Sequence, residues 1–145
     1  FMESDAELME RSLVAAAPNE AAMRAALFDR FLARYPDHRA LFMHVEATSI
    51  RMTDETLTWL LGLAQGEDWV WGQVAEIVYQ HDNYGHLPAG EYADFIDMAI
   101  DALGEAAGTD WNEATVAAWR RNAAALNALI ARAIGEWNAS PLPYG

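Results

Sequence analysis

The sequence predicts an all-α domain, and three observations carry that prediction. Alanine, the best helix former, fills 29 of the 145 positions. Residues branched at Cβ, which lose side-chain freedom in a helix, are sparse. Apolar residues recur at threes and fours instead of alternating. The length fits one domain spanning 1–145, large enough to bury a core.

About seven helices follow in order. Leu8, Met9 and Leu13 mark the first, and Pro18-Asn19 splits it from a second carrying Met23, Leu27, Phe28 and Phe31. Tyr35-Pro36 ends the second, because the residue before proline avoids the α region. A short helix runs through Arg39-Ala40-Leu41-Phe42. Thr48 or Ser49 is the expected cap of the next, which carries Met52, Leu57, Leu60, Leu61 and Ala64 and stops at Gly66. Trp69 to about Asp82 forms another, with Val70, Val74, Ile77, Val78 and His81 on one stripe. Gly85, Pro88 and Gly90 then break the chain. Tyr92, Phe95, Ile96, Ala99 and Leu103 line a helix ending near Gly104–Gly108. Asn112 is the expected cap of the last, which runs through Val116, Trp119, Ala123, Leu126, Ile130 and Ala133. From about residue 138 the proline-containing end is expected to be an extended tail, and Phe1, ahead of Met2, reads as an addition.

Charge narrows the functions. All nine cations are arginine, and none lies between Met52 and Trp119, where thirteen carboxylates carry the whole net charge of −13. Without lysine there is no P-loop lysine and no Schiff base. An acidic centre argues against nucleic acid and anionic membranes, which need a basic footprint. Without cysteine, thiolate nucleophiles, disulfides and iron–sulfur clusters are excluded. No apolar run is long enough to span a bilayer and no secretory signal opens the chain, so a cytoplasmic location is expected. The six tryptophans read mostly as core.

Among the four histidines, His38 reads as polar surface, while His44 and His86 sit at corners of either character. His81 continues an apolar stripe and faces inward. No histidine has a glutamate three residues before it, so a bundle di-iron site is not expected. Glu91, Asp94, Asp101 and Glu105 share a helical face that reads as solvated.

Three blocks resemble the globins, specifically bacterial single-domain haemoglobins. Leu27 through Phe42 is similar to a B helix, a proline-started C helix and the phenylalanine that packs on haem. His81-Asp82-Asn83-Tyr84-Gly85 is similar to a proximal histidine and its tyrosine–glycine turn. Asp110-Trp111-Asn112-Glu113 through Ala118-Trp119 is similar to the corner before the last helix and that helix's start. Their order and spacing extend the likeness over nearly the whole chain.

The resemblance implies a three-over-three helical sandwich, with the D helix reduced or absent. It further implies haem b (iron protoporphyrin IX) held by His81, with Phe42 stacked on the porphyrin and Phe28 on the distal B helix. An ungapped count from Phe42 puts Met52 and Thr56 at the distal positions; a slip of one residue puts Thr53 and Leu57 there. Ile77, Tyr84, Leu87, Tyr92 and Phe95 belong to the proximal side. The distal site then lacks the family's usual histidine or glutamine, and Phe28 stands where many bacterial members have tyrosine. Dioxygen is therefore expected to be held weakly unless His44, Thr53 or Thr56 donates to it. Met52 is a candidate distal iron ligand. Tyr92 lies one residue later than the family's supporting tyrosine, and the supporting glutamate's position falls near Ile134, with Glu136 displaced. Arg51 is the expected propionate partner, assisted by His44, Arg39 or His86.

The implied function is reversible binding of a diatomic gas: dioxygen, nitric oxide or carbon monoxide. Nitric oxide dioxygenation would require a separate reductase, and the oligomeric state stays open. The alternative is a haem-free globin-fold module acting through helix contacts.

Overall fold

Ser4 opens the first helix with a capping box: its Oγ accepts from Glu7 N at 3.2 Å, and Glu7 Oε1 accepts from Ser4 N at 3.2 Å. This helix, α1 (Asp5–Ala16), is followed by α2 (Glu20–Arg34), α3 (Val45–Ala64), α4 (Val70–His81), α5 (Ala89–Ala107) and α6 (Glu113–Ala139). Short 3₁₀ turns at Ala17–Asn19, Pro36–Leu41, Asp82–Tyr84 and Gly108–Asp110 join them. The computed structural model describes residues 3–139, except the side chains of Tyr84 and Ala139. Phe1 and residues 140–145 lie outside the described residues.

The six α-helices agree with the all-α expectation, and the turn from Pro36 to Leu41 takes the place of the short helix. Three boundaries differ. α3 begins at Val45, one turn before the expected cap, and no side chain caps it. Inside the helix, Ser49 Oγ instead donates to the Glu46 carbonyl at 2.7 Å. A hydroxyl can bond back to the preceding turn as readily as it caps, so its presence did not fix the boundary. α4 starts at Val70, with Trp69 as the flanking residue. α6 carries helix through Ala139, past the expected start of the tail.

Other punctuation lies where the residue chemistry requires it. Gly66 takes φ +74° just past α3, a conformation costly for residues with Cβ. Asn112 Oδ1 accepts from Thr115 N at 2.9 Å and caps α6.

The helices share one core. α5 packs on α1, α2 and α6, while α6 also packs on α1, α3 and α4. Leu27, Leu60, Leu103, Trp119 and Leu126 are fully buried where these elements meet. Truncating any such leucine to alanine costs about 2–5 kcal/mol. Trp119 brings a polar atom into this core and has it satisfied: Nε1 donates to Ser12 Oγ at 2.9 Å, which donates to the Met9 carbonyl at 2.7 Å. Trp59 is also buried, whereas Trp69 is partly exposed. No described helix is long and apolar enough to cross a membrane.

Candidate functional site

α3 and α4 approach closely where Gly62 meets Val70: a Cβ on Gly62 would lie 2.9 Å from Val70 Cγ2. Away from that contact, the two helices wall a cavity of about 420 Å³. α3 contributes Arg51, Met52, Glu55, Thr56 and Trp59; α4 contributes Val74, Ile77, Val78 and His81. Tyr92, Phe95 and Ile96 of α5 and Leu126 and Ile130 of α6 add further apolar lining. His38, Leu41, Phe42, Leu87 and Glu91 line it from the turns and the start of α5, and Thr48, Gln80 and Asn83 add polar lining. The volume lies in the range of small-molecule sites, about 300–1,000 Å³.

His81 ends the buried stripe Val70–Val74–Val78 and is half-buried. Its Nδ1 is fully buried and has no hydrogen-bond partner. Burial pushes its pKa below the ordinary histidine value, and the Arg51 charge adds to this. The Ile77 carbonyl, one turn earlier, works against that shift without meeting hydrogen-bond geometry. The ring is therefore neutral at neutral pH, which is the form that binds metals. Tyr92 meets it edge-on, with ring centroids 5.7 Å apart. Burial, reinforced by the carboxylates of Asp82 and Glu91, pushes the Tyr92 phenol up to about 12.

The two alternative residue pairs on α3 differ in placement. Met52 and Thr56 line the cavity; Thr53 and Leu57 do not. Thr53 is fully buried with Oγ1 unpartnered, and Leu57 opens on a second cavity with Leu13, Met23 and Leu61. Thr56 Oγ1 donates to the Met52 carbonyl at 2.8 Å, so its hydroxyl proton is used within the helix.

Phe28 does not reach the cavity. It packs edge-on against Phe42 and Phe95, at 6.1 and 5.6 Å, and supports both from behind, while Phe31 lines the cavity from the next turn of α2. His44 is exposed at the start of α3, and Arg39 is exposed on its turn. His86 is exposed too, with Nδ1 3.5 Å from Asp82 Oδ1. Neither His44 nor His86 lines the cavity. Arg51 does, but its side chain is 69% exposed, and its Nε lies 3.9 Å from Glu55 Oε1. The Tyr84 side chain lies outside the described residues.

Several polar cavity residues escaped the sequence reading, Thr48, Gln80 and Asn83 among them. His38, read as surface, is half-buried, stacks on Tyr35 and meets Glu91 at 2.9 Å. Glu91 and Asp94, read as solvated, are half-buried, and Asp94 accepts from the Tyr35 hydroxyl. The solvated reading holds for Asp101 and Glu105, which pair with Arg120 and Arg30 on the surface. Glu55 is another. Its i,i+4 spacing from Arg51 was the available signal, since such pairs share a helix face.

On the other side of α4, Ile134 packs on the core and exposed Glu136 pairs with Arg132 at 3.1 Å. Among the described residues no group of three or more carboxylates and histidines could hold a bare metal ion. No protein-family model matches the chain, and no curated protein matches it.

Proposed function

We propose that this chain is a globin that holds haem b in the 420 Å³ cavity and binds a diatomic gas there. One observation carries the reading: the His81 imidazole lines the cavity among Ile77, Val78, Leu87 and Phe95, with its Nδ1 buried and unpartnered. That leaves Nε2 as the nitrogen for an iron. A haem also needs flat apolar walls and a polar mouth for its two propionates. Phe42, Phe95, Ile77, Val78 and Leu87 supply the first; Arg51 and His38 supply donors for the second. The succession of six α-helices, with a 3₁₀ turn after Pro36, supports the three-over-three sandwich that the sequence blocks suggest.

The chain's residues divide the work. His81 would hold the iron, and Tyr92, edge-on to its ring, limits the ring's swing. Phe28 holds Phe42 and Phe95 in place from outside the cavity. When bound, haem would supply an iron that can coordinate dioxygen, nitric oxide or carbon monoxide. A reaction cycle such as nitric oxide dioxygenation further requires electrons from a separate reductase.

Absorption spectroscopy on protein reconstituted with haem tests the reading. A stoichiometric Soret band is expected in wild type and in His38→Ala, and loss or severe weakening in His81→Ala. A wild-type protein that gives no Soret band would leave a haem-free module acting through helix contacts. Equal affinity in the two variants would refute His81 as the ligand.

A further inference from the structure

Two side chains of the cavity wall carry donors of the kind that bind haem iron in pairs: the His81 imidazole on α4 and the Met52 thioether on α3. Their placement along the two helices is matched. From the contact of Gly62 with Val70, Met52 lies ten residues back along α3 and His81 eleven residues forward along α4. At 1.5 Å per residue these are about 15 and 16.5 Å along the two helices, and both side chains line the cavity.

Competing groups on the Met52 wall are engaged or differently suited. Thr56 spends its proton on the Met52 carbonyl, and Thr53 lies outside the cavity. The Glu55 carboxylate is a hard donor beside Arg51, whereas a thioether suits reduced iron. The second cavity imidazole, His38, is occupied with Glu91 at 2.9 Å. Methionine's three rotatable bonds let its sulfur reach a position that a stiffer side chain would miss.

We propose that Met52 Sδ is the second axial ligand opposite His81, so that a gas reaches the iron only by displacing it. This rests on the haem-binding reading above. A His–Met pair raises the reduction potential and suits one-electron exchange with a partner protein. The gas then binds only the fraction of molecules from which the thioether has dissociated, which weakens its apparent affinity by that fraction.

The test uses the full chain reconstituted with haem, in wild type and in Met52→Leu, a swap that nearly conserves volume. Anaerobically reduced wild type is expected to show the sharp visible bands of six-coordinate low-spin haem, and Met52→Leu the broad band of a five-coordinate high-spin form. The oxidised wild type is expected to show the near-infrared thioether-to-iron band, absent from the variant. Carbon monoxide should bind wild type with a rate that saturates with its concentration, and bind the variant at least about tenfold faster. Five-coordinate reduced wild type overturns the proposal, and so does six-coordination that persists in Met52→Leu. A missing Soret band in wild type overturns the haem reading itself, a separate and recognisable failure.

Discussion

Trp137 Nε1 donates to Asp82 Oδ2 at 2.8 Å, tying the end of α6 to the residue that follows His81. The same indole meets Tyr79 of α4 edge-on at 4.7 Å. The last turn of α4 is thus clamped from outside, and the His81 ring inherits that placement. Trp137→Phe keeps the ring contact and removes the donor. One such bond is worth about 0.5–1.5 kcal/mol. The expected outcome is haem loss faster by about two- to tenfold, measured by transfer to an excess of a scavenging haem protein, with unchanged helix content. Asp82→Asn retains an acceptor and should fall between.

Periodicity placed His81 on an inward stripe, because burial on a helix repeats with its turn, whereas the count from Phe42 left Met52–Thr56 and Thr53–Leu57 both open on α3. Periodicity did not identify His38 with Glu91, which come together over 53 positions of sequence through the packing of the Pro36–Leu41 turn on α5. Nor did it separate Phe28 from Phe31. Both are apolar and nearly in phase, and which one meets the cavity depends on how α2 is rotated against α5. The cap of α3 was misplaced because hydroxyls at Thr48 and Ser49 serve two local geometries equally well. Spacing gives a residue its face; its partner comes from tertiary contacts.

Glycines on the helices make opposite predictions. A Cβ on Gly104 would stand 2.5 Å from Trp111 Nε1 and 2.6 Å from Cε2. Gly104→Ala must therefore displace the indole that packs on α5, at a cost of about 1–3 kcal/mol that exceeds its gain in helix propensity. Gly135, in α6, has nothing within 4 Å of such a Cβ. Gly135→Ala should stabilise by up to about 1 kcal/mol. Urea denaturation followed by circular dichroism reads both, and a stabilising Gly104→Ala would contradict the packing of Trp111.

Two carboxylates give pH dependences of opposite sign. Hydrogen bonds and charge from Arg121 hold Asp5 below its usual 3.8, outweighing burial. Its contribution is present above the unfolded value and is lost as pH falls through the folded one, below 3.8. Glu55 is raised above 4.5 by burial, with Arg51 opposing. It costs stability above its folded value and stops doing so as pH falls towards 4.5. At neutral pH, Asp5→Asn should destabilise the haem-free protein by up to about 0.5 kcal/mol, after discounting for solvent screening. Glu55→Gln should stabilise it by a similar small amount. Both differences should vanish in acid, and a Glu55→Gln protein less stable than wild type at neutral pH would reverse the assignment.

On the haem-binding reading proposed above, the α3 wall of the cavity also predicts how dioxygen responds to a donor. Bound dioxygen carries partial negative charge and is retained by a hydrogen bond to it. Here none of the three candidate donors is in position: His44 and Thr53 lie outside the cavity, and Thr56 bonds to its own helix. Met52→Gln and Met52→Leu both remove the thioether, and only the first adds an amide N–H on the cavity wall. A hydrogen bond to a charged group is worth about 1.5–3 kcal/mol, or roughly ten- to more than a hundredfold in rate. Dioxygen should therefore leave reduced, reconstituted Met52→Gln at least about tenfold more slowly than Met52→Leu, measured by stopped-flow displacement with carbon monoxide. Equal rates would mean that another donor already reaches the bound gas, or that residue 52 does not face it. Thr53→Val then separates these outcomes: only in the first case could it speed release, and only by Thr53 turning into the cavity when haem binds.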